Sequence, residues 1–496
     1  HGHNVRILSR ALQLMSADRI PVFNGRWAVF MDFCCIHQCC RDSDGAPQLR
    51  TFRWLDESQC FAEGAIGRFE REDALFKEAL ESLGSFYSHR ATVVFMMTKF
   101  PADYDDPEKY TRSGNTETYF NRGWCYCESS WAMLTKGSHH LVDLGKQSGK
   151  ETCFFGYHGR TDSLVHTCAA GRKAPLLPSA FEVELESKGF TNGRDDRPKV
   201  AELYRLSFTQ RFESAETLTY TSLEWGDEEA QRVAAVLAAG AAPRLRELFL
   251  DGNRLGDEGA ARLAEALQAP GALPALRVLS LLGNGVGDEG AARLAELLRD
   301  PGALPRLEEL NLAVNLVGDE GAARLAEAVQ APGALPRLEK LHLNSNRVGD
   351  EGVARLAEAL SAPGALPRLR ELNLNGNRVG DGGAARLAEA LWAPGAVPQL
   401  VWLGLADNLV GDEGAARLAE GLLAPGALPQ LRELCLNGNR VGDGGAARLA
   451  EALRAPGAVP QLEWLALFEN PPLGSTGKAA LRAAWAEARR QGGLLL

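Results

Sequence analysis

The residues best placed for chemistry lie in Arg122-Gly-Trp-Cys-Tyr-Cys-Glu128. In a helix, Trp124 and Glu128 stand four apart and share a face, so the ring can pack while the carboxylate reaches the ends of neighbouring strands. A carboxylate held there can stabilise developing positive charge or bind sugar hydroxyls. Arg122, near the helix start, could hold a phosphate or pair with Glu128. An active Glu128 must open to a cleft; a structural one is buried against Arg122. Cys34, Cys35, Cys39 and Cys40 with His37 are zinc-ligand types, but adjacent residues on a strand point to opposite faces and the CxxC knuckle is missing. Gly474-Ser-Thr-Gly-Lys478 has the Gly and Lys of a phosphate loop, yet Pro472 stands where its first Gly belongs. His139, His140 and His158 have no partner motif and read as surface residues.

The elements that must position Glu128 are legible around it. Trp27–Ile36 reads as a buried strand, Glu72–Tyr87 as an amphipathic helix and Ala91–Met97 as a second strand. A polar loop covers 102–121, and a helix opens at Arg122. Strand, helix, strand, loop, helix predicts an α/β layer with a parallel sheet. Ligands of such sheets sit beyond the strands' carboxyl ends, where Asp32–Gln38 and the 102–121 loop belong.

The second half repeats every 31 residues. The first leucines are Leu245, Leu276, Leu307, Leu338, Leu369, Leu400, Leu431 and Leu462. Eight places on come Asn253, Asn284, Asn315, Asn346, Asn377, Asn408, Asn439 and Asn470. LxxLxLxxN has a strand's two-residue spacing, and its Asn can turn inward to bond the backbone of the turn. A helix follows: Ala260, Leu263, Ala264 and Leu267 share one face. Asp257 is expected to cap that helix, and Asp288, Asp319, Asp350, Asp381, Asp412 and Asp443 recur in the same role. One strand and one helix cannot bury their own leucines; stacking can, with a parallel sheet inside a curve and helices outside. Leu218–Ala239 reads as a degenerate first repeat without the Asn, and Gly474–Arg490 as a closing helix. The Arg column from Arg262 to Arg448 is interleaved with acidic residues, a solvated helix face.

Positions that vary between repeats show where differentiation was permitted. The third, fifth and seventh places should line the concave sheet face. They carry Trp402, Trp464 and Phe468 near the C-terminal end, with His342, Asn373 and Asn375 before them. Aromatics dominate interface energies, so these are the expected partner contacts. The alternative is drift on a solvated face, since single exposed apolar residues are ordinary.

Composition bounds the classes. The 496 residues exceed one ordinary core and predict several domains. A net charge of -10 argues against a broad basic surface for nucleic acid. No run of 18 apolar residues is present, so no membrane helix is expected. Nine of ten cysteines precede residue 170, as reduced buried thiols of a cytoplasmic protein. Residue 1 is His, so the chain is read as a fragment or processed form, and no signal peptide is expected.

On the eight LxxLxLxxN units, the second half resembles leucine-rich repeats of the ribonuclease-inhibitor type, as in intracellular NLR-like immune receptors. On Trp124-Cys125-x-x-Glu128 after a strand, helix, strand order, the first half resembles TIR domains. Arg122-Gly-Trp and Asp32-Phe-Cys-Cys-Ile-His-Gln38 are similar to segments of fungal heterokaryon-incompatibility (HET) domains. The resemblance implies a TIR/HET-like domain over 1–135, truncated at its start because no first strand and loop precede Trp27. An extension and linker over 136–215, a degenerate capping repeat over 216–244 and a solenoid over 245–492 follow. In TIR domains that cleave NAD, the glutamate of this motif is catalytic; carried over, it is Glu128, with Arg122 as a cofactor-binding candidate. The leading expectation is an intracellular interaction or sensor scaffold that binds a protein, with no cofactor, metal, nucleic acid or membrane and the oligomeric state left open. The rivals are an NAD-cleaving enzyme regulated by its repeats, and a ribonuclease-inhibitor-like or GTPase-activator-like binder with a structural front domain.

Overall fold

The computed structural model describes residues 94–96, 98, 119–134, 141–153, 163–168, 171–190 and 193–496, apart from 270, 363, 392, 394–395, 425–427 and 489–491. The strand expected at 27–36, the helix at 72–87, the cysteines before Cys125 and the three histidines named above lie outside the described residues. The chain divides into two compact units, His1–Phe212 and Glu213–Leu496. Among the described residues no helix is long and apolar enough to cross a membrane.

In the first unit, β1 (Val94–Met96) and β2 (Leu141–Asp143) pair in parallel, with helix α1 (Gly123–Met133) between them in sequence. The helix starts where the sequence places it, with Arg122 extended at its N-cap and the Tyr126 amide donating to the Arg122 carbonyl. Helices α2 (Leu164–Thr167), α3 (Pro178–Glu186) and α4 (Gly193–Ser214) follow. The described residues of the stretch 136–215, expected as an extension and linker, belong to this unit as far as Phe212. Tyr126 stacks on Phe181 of α3, Phe181 on Tyr204 of α4, and Phe208 on Phe212. The Gly123 amide bonds the Gly189 carbonyl, and Arg172 Nε reaches the Met133 carbonyl. Large aromatics spaced along α3 and α4 bury too much surface for a free linker.

The second unit is a single parallel sheet of ten three-residue strands in chain order. They are β3 (Thr217–Thr219), β4 (Glu247–Phe249), β5 (Val278–Ser280), β6 (Glu309–Asn311), β7 (Lys340–His342) and β8 (Glu371–Asn373), then β9 (Trp402–Gly404), β10 (Glu433–Cys435), β11 (Trp464–Ala466) and β12 (Gly493–Leu495). Their middle residues form one unbroken row from Leu218 to Leu494. From Leu218 to Leu465 that row is buried, while most of the residues flanking it are at least partly exposed. The helix leucines, such as Leu263 and Leu267, are buried with it. The degenerate repeat contributes β3 and the helix Asp227–Ala238. The closing helix spans Ser475–Glu487, and the chain then adds β12, which the leucine pattern did not announce because its register leucine, Leu494, has no LxxLxLxxN around it.

The asparagine column is buried throughout and does more than close its own turn. Asn346 Nδ2 donates to the Leu343 carbonyl of its own repeat and to the Leu312 carbonyl of the preceding one. Its Oδ1 accepts from the Val317 amide. The same pattern links repeat to repeat from Asn315 to Asn470. This accounts for the degenerate first repeat: an Asn there would have no preceding turn to bond. Asn253 reaches back to it instead, at the Tyr220 carbonyl and the Trp225 amide.

The aspartates correct the expectation drawn from sequence. Asp257 does not cap the helix it begins; its Oδ1 accepts from the Gly287 and Gly290 amides, at the start of the next helix, at 2.7 and 2.9 Å. Asp288, Asp319, Asp381, Asp412 and Asp443 each hold two amides of the following helix in the same way, and Asp350 holds Gly380. Asp443 occupies the amides of Gly474 and Gly477, so the Gly474–Lys478 turn presents a carboxylate where a phosphate loop would present free N–H groups. On the helix surface, pairs such as Arg293–Glu296 and the inter-repeat Arg386–Glu358 are about half exposed and contribute little each.

Candidate binding surface and the Glu128 site

Glu128 sits on a helix buried almost all round. Cys125, Tyr126, Cys127, Ser129, Trp131 and Ala132 are buried with it, and Trp124 is partly exposed. Glu128 itself is 3% exposed and Arg122 4%. Burial, and then the Glu128 charge, hold the Cys127 thiol well above its usual range, so it stays protonated. Tyr126 donates its hydroxyl to the Glu184 carboxylate, with the Lys188 ammonium 4.4 Å from its ring. Gly123 is where the Phe190 ring crosses the helix; a Cβ there would collide with it. At the carboxyl end of β2, Asp143 accepts from the Thr98 hydroxyl and the Gly145 amide. Among the described residues no group of three His, Cys, Asp or Glu side chains is gathered for a metal.

Two of the three variable positions, the third and fifth, form rows across the sheet, and the seventh follows each strand. The third-position row runs Glu309, Lys340, Glu371, Trp402, Glu433, Trp464, each in register with the next. Lys340 is 3.8 Å from both Glu309 and Glu371, so one cation serves two carboxylates in the middle of the row. In the fifth-position row His342 is partly exposed between Asn311 and Asn373. Asn373 and Asn375 have part of their capacity engaged: Asn373 Oδ1 accepts from the Asn375 amide, and Asn375 Oδ1 from the Ala406 amide at 2.7 Å.

Toward the last repeats the face becomes apolar. Trp464 is 44% exposed, Phe468 37% and Leu495 of β12 46%. Trp402 is partly exposed; its ring lies over Gly404, where a Cβ would collide with it. The Trp464 ring lies in the same way over Gly493, its register partner on β12. Each indole thus lies over a glycine that leaves it room, Trp402 over one on its own strand and Trp464 over one on the next. The pattern of repeats points to the three aromatics; it does not disclose Leu495 or the seat at Gly493, because these depend on β12, which lies outside the repeat pattern.

The leucine rich repeat family profile matches residues 243–264, 273–295, 335–357, 366–388 and 428–450. With the unbroken strand and helix register, this makes the second unit an α/β solenoid of leucine-rich repeats. No curated protein matches the chain. Among solved structures, the actin-binding site 2 of leiomodin-1 is 18% identical over 34% of this chain and 88% of its own, with a TM-score of 0.27. An internalin of Listeria monocytogenes is 16% identical over 58% of this chain and 88% of its own, with a TM-score of 0.31. Both likenesses are weak, and neither bears on what this chain binds.

Proposed function

We infer that this chain is a protein-interaction scaffold whose repeats dock a partner on the open, concave side of the sheet, nearest the last repeats. The observation that carries the reading is the exposure of Trp464, Phe468 and Leu495 beside Trp402 on one face of a rigid sheet. Large aromatics held flat give contact area with little entropy left to lose, which is what interface anchors require. His342, Asn373 and Asn375 extend the surface as polar contacts. The solenoid is of the ribonuclease-inhibitor type, and the first unit is a TIR/HET-like signalling or assembly domain of a cytoplasmic protein. The order strand, helix, strand and the parallel pairing of β1 with β2 around the Trp124–Glu128 motif support that part. We read Glu128 and Arg122 as positioning this helix and not as handling NAD, because both are almost wholly buried.

A partner recovered with the full chain supplies the test. Replacing Trp402, Trp464 and Phe468 together by Ala should weaken it by well over tenfold in a titration, since aromatic anchors are each worth about 2 kcal/mol or more. Unchanged affinity would move the site to the helices or the first unit.

A further inference from the structure

Resting on that reading, we propose that the surface around Glu433 takes an arginine side chain of the partner, its guanidinium paired with the carboxylate and stacked on a neighbouring indole. Glu433 is in register with Trp402 on one side and Trp464 on the other. Adjacent strands are about 4.8 Å apart, so the Trp402 indole, lying over Gly404 of its own strand, is within one strand's width of the carboxylate, while the Trp464 ring lies over Gly493 on the strand beyond. It is partly buried, and among the described residues no cation pairs with it. The row's other carboxylates each have a side-chain partner: Glu309 and Glu371 share Lys340, and Glu247 accepts from the Thr217 hydroxyl at 2.9 Å. The adjacent cation, Arg432, is taken by Glu463 at 3.4 Å. Asp407 and Glu469, exposed on the turns after β9 and β11, add negative charge at the same end of the sheet.

A partly buried carboxylate beside the Trp402 indole is therefore short of one positive charge. The group that completes it must pair with an anion and lie against a ring. A guanidinium does both: its fork matches a carboxylate, and its weakly hydrated plane stacks on indole. A lysine ammonium supplies the charge but no plane, and keeps more of its water. Because the Trp402 ring covers Gly404 rather than turning over the neighbouring strand, the arginine lies along the surface, its stem over that indole.

The test uses the full chain and a displayed library of random twelve-residue peptides. Selected peptides should be enriched in arginine. Exchange of that arginine for citrulline, which keeps the shape and removes the charge, should weaken binding at least tenfold, and for lysine by less. Glu433→Gln should cost the same tenfold, and in the Gln variant the citrulline exchange should cost almost nothing further. Glu433→Lys should abolish binding, and unchanged melting of each variant shows that the array is intact. Peptides that lose affinity with Trp402→Ala or Trp464→Ala but ignore Glu433→Gln would overturn the arginine site and leave the aromatic surface standing. Peptides indifferent to all of these changes would overturn both, and a selection without arginine enrichment overturns the arginine site.

Discussion

Asp319 Oδ1 accepts hydrogen bonds from the amides of Gly349 and Gly352, thirty and thirty-three residues ahead, at 2.6 and 2.9 Å. One carboxylate thus satisfies two orphan donors at the start of the next helix and sets a negative charge on its positive end. The same contact explains a glycine inside that helix. A Cβ on Gly352 would stand 2.7 Å from Asp319 Oδ1 and 2.9 Å from the Asp319 Cα. The Gly-Asp-Glu-Gly signature is therefore a joint: its Asp reaches forward and its second Gly receives the Asp behind it.

This joint predicts a reversal of an ordinary rule. Glycine inside a helix normally costs about 0.5–1 kcal/mol relative to alanine, so replacing it should stabilise. Gly352→Ala should instead lower stability, because the aspartate's own backbone must move. Asp319→Ala should cost about 0.5–2 kcal/mol, the usual range for a lost cap. Urea unfolding of the two variants checks both, and a more stable Gly352→Ala protein would show that the joint yields freely.

A second prediction concerns the residue before each buried Asn. This place is left-handed in every repeat, with φ of 65° at Gly252, Gly283 and Gly376 and 66° at Gly438. Val314 holds the same conformation at φ 55° with a β-branched, half-exposed side chain. Val314→Gly should raise stability by about 1 kcal/mol through relief of that strain, and Gly376→Val should lower it. Denaturant midpoints decide, and a Val314→Gly loss would mean that the valine is packed rather than strained.

How far the sequence disclosed these features follows from the range of the interactions. Leu310 and Asn315 announce themselves because strand period and turn chemistry are local and recur every 31 residues. Asp319 caps the next helix and not its own, which the sequence cannot distinguish because the partner one repeat away has the same sequence as the near one. Strand β12 was missed because three residues pairing with β11 need no pattern of their own. The packing of α3 and α4 on α1 is illegible in the sequence for another reason: Tyr126, Phe181 and Tyr204 meet through single contacts that no period repeats.

Acid should weaken the array through His342. Burial first, and Lys340 with it, lower its pKa, against the raising effect of Glu309 and Glu371. The unfolded histidine then binds a proton at about pH 6.5, where the folded one still resists. More protons bound in the unfolded state means stability that falls as pH falls through that window. His342→Gln should therefore show a smaller loss of urea midpoint between pH 7.5 and 5.5 than the parent. An equal or larger loss would place the titrating group elsewhere.

The last prediction concerns Glu128. A carboxylate that stabilises a cleaving glycosidic bond must touch the sugar, as in other glycoside hydrolysis. At 3% exposure, on a helix buried almost all round, Glu128 has no surface to offer a nucleotide, and Arg122 at 4% offers no open phosphate site. Its neighbour Cys127 is held protonated by burial and by the carboxylate's own charge, so no thiolate stands in for it. The full chain incubated with NAD should release nicotinamide no faster than buffer alone, followed by chromatography, and Glu128→Gln should match it. Stability should report the residue instead. Glu128→Ala should lower stability because it empties space in a side-chain site that is 3% exposed, and Glu128→Gln should cost less because it keeps the shape. Nicotinamide release that Glu128→Gln abolishes, with melting unchanged, would make the residue catalytic and require the helix to open in solution.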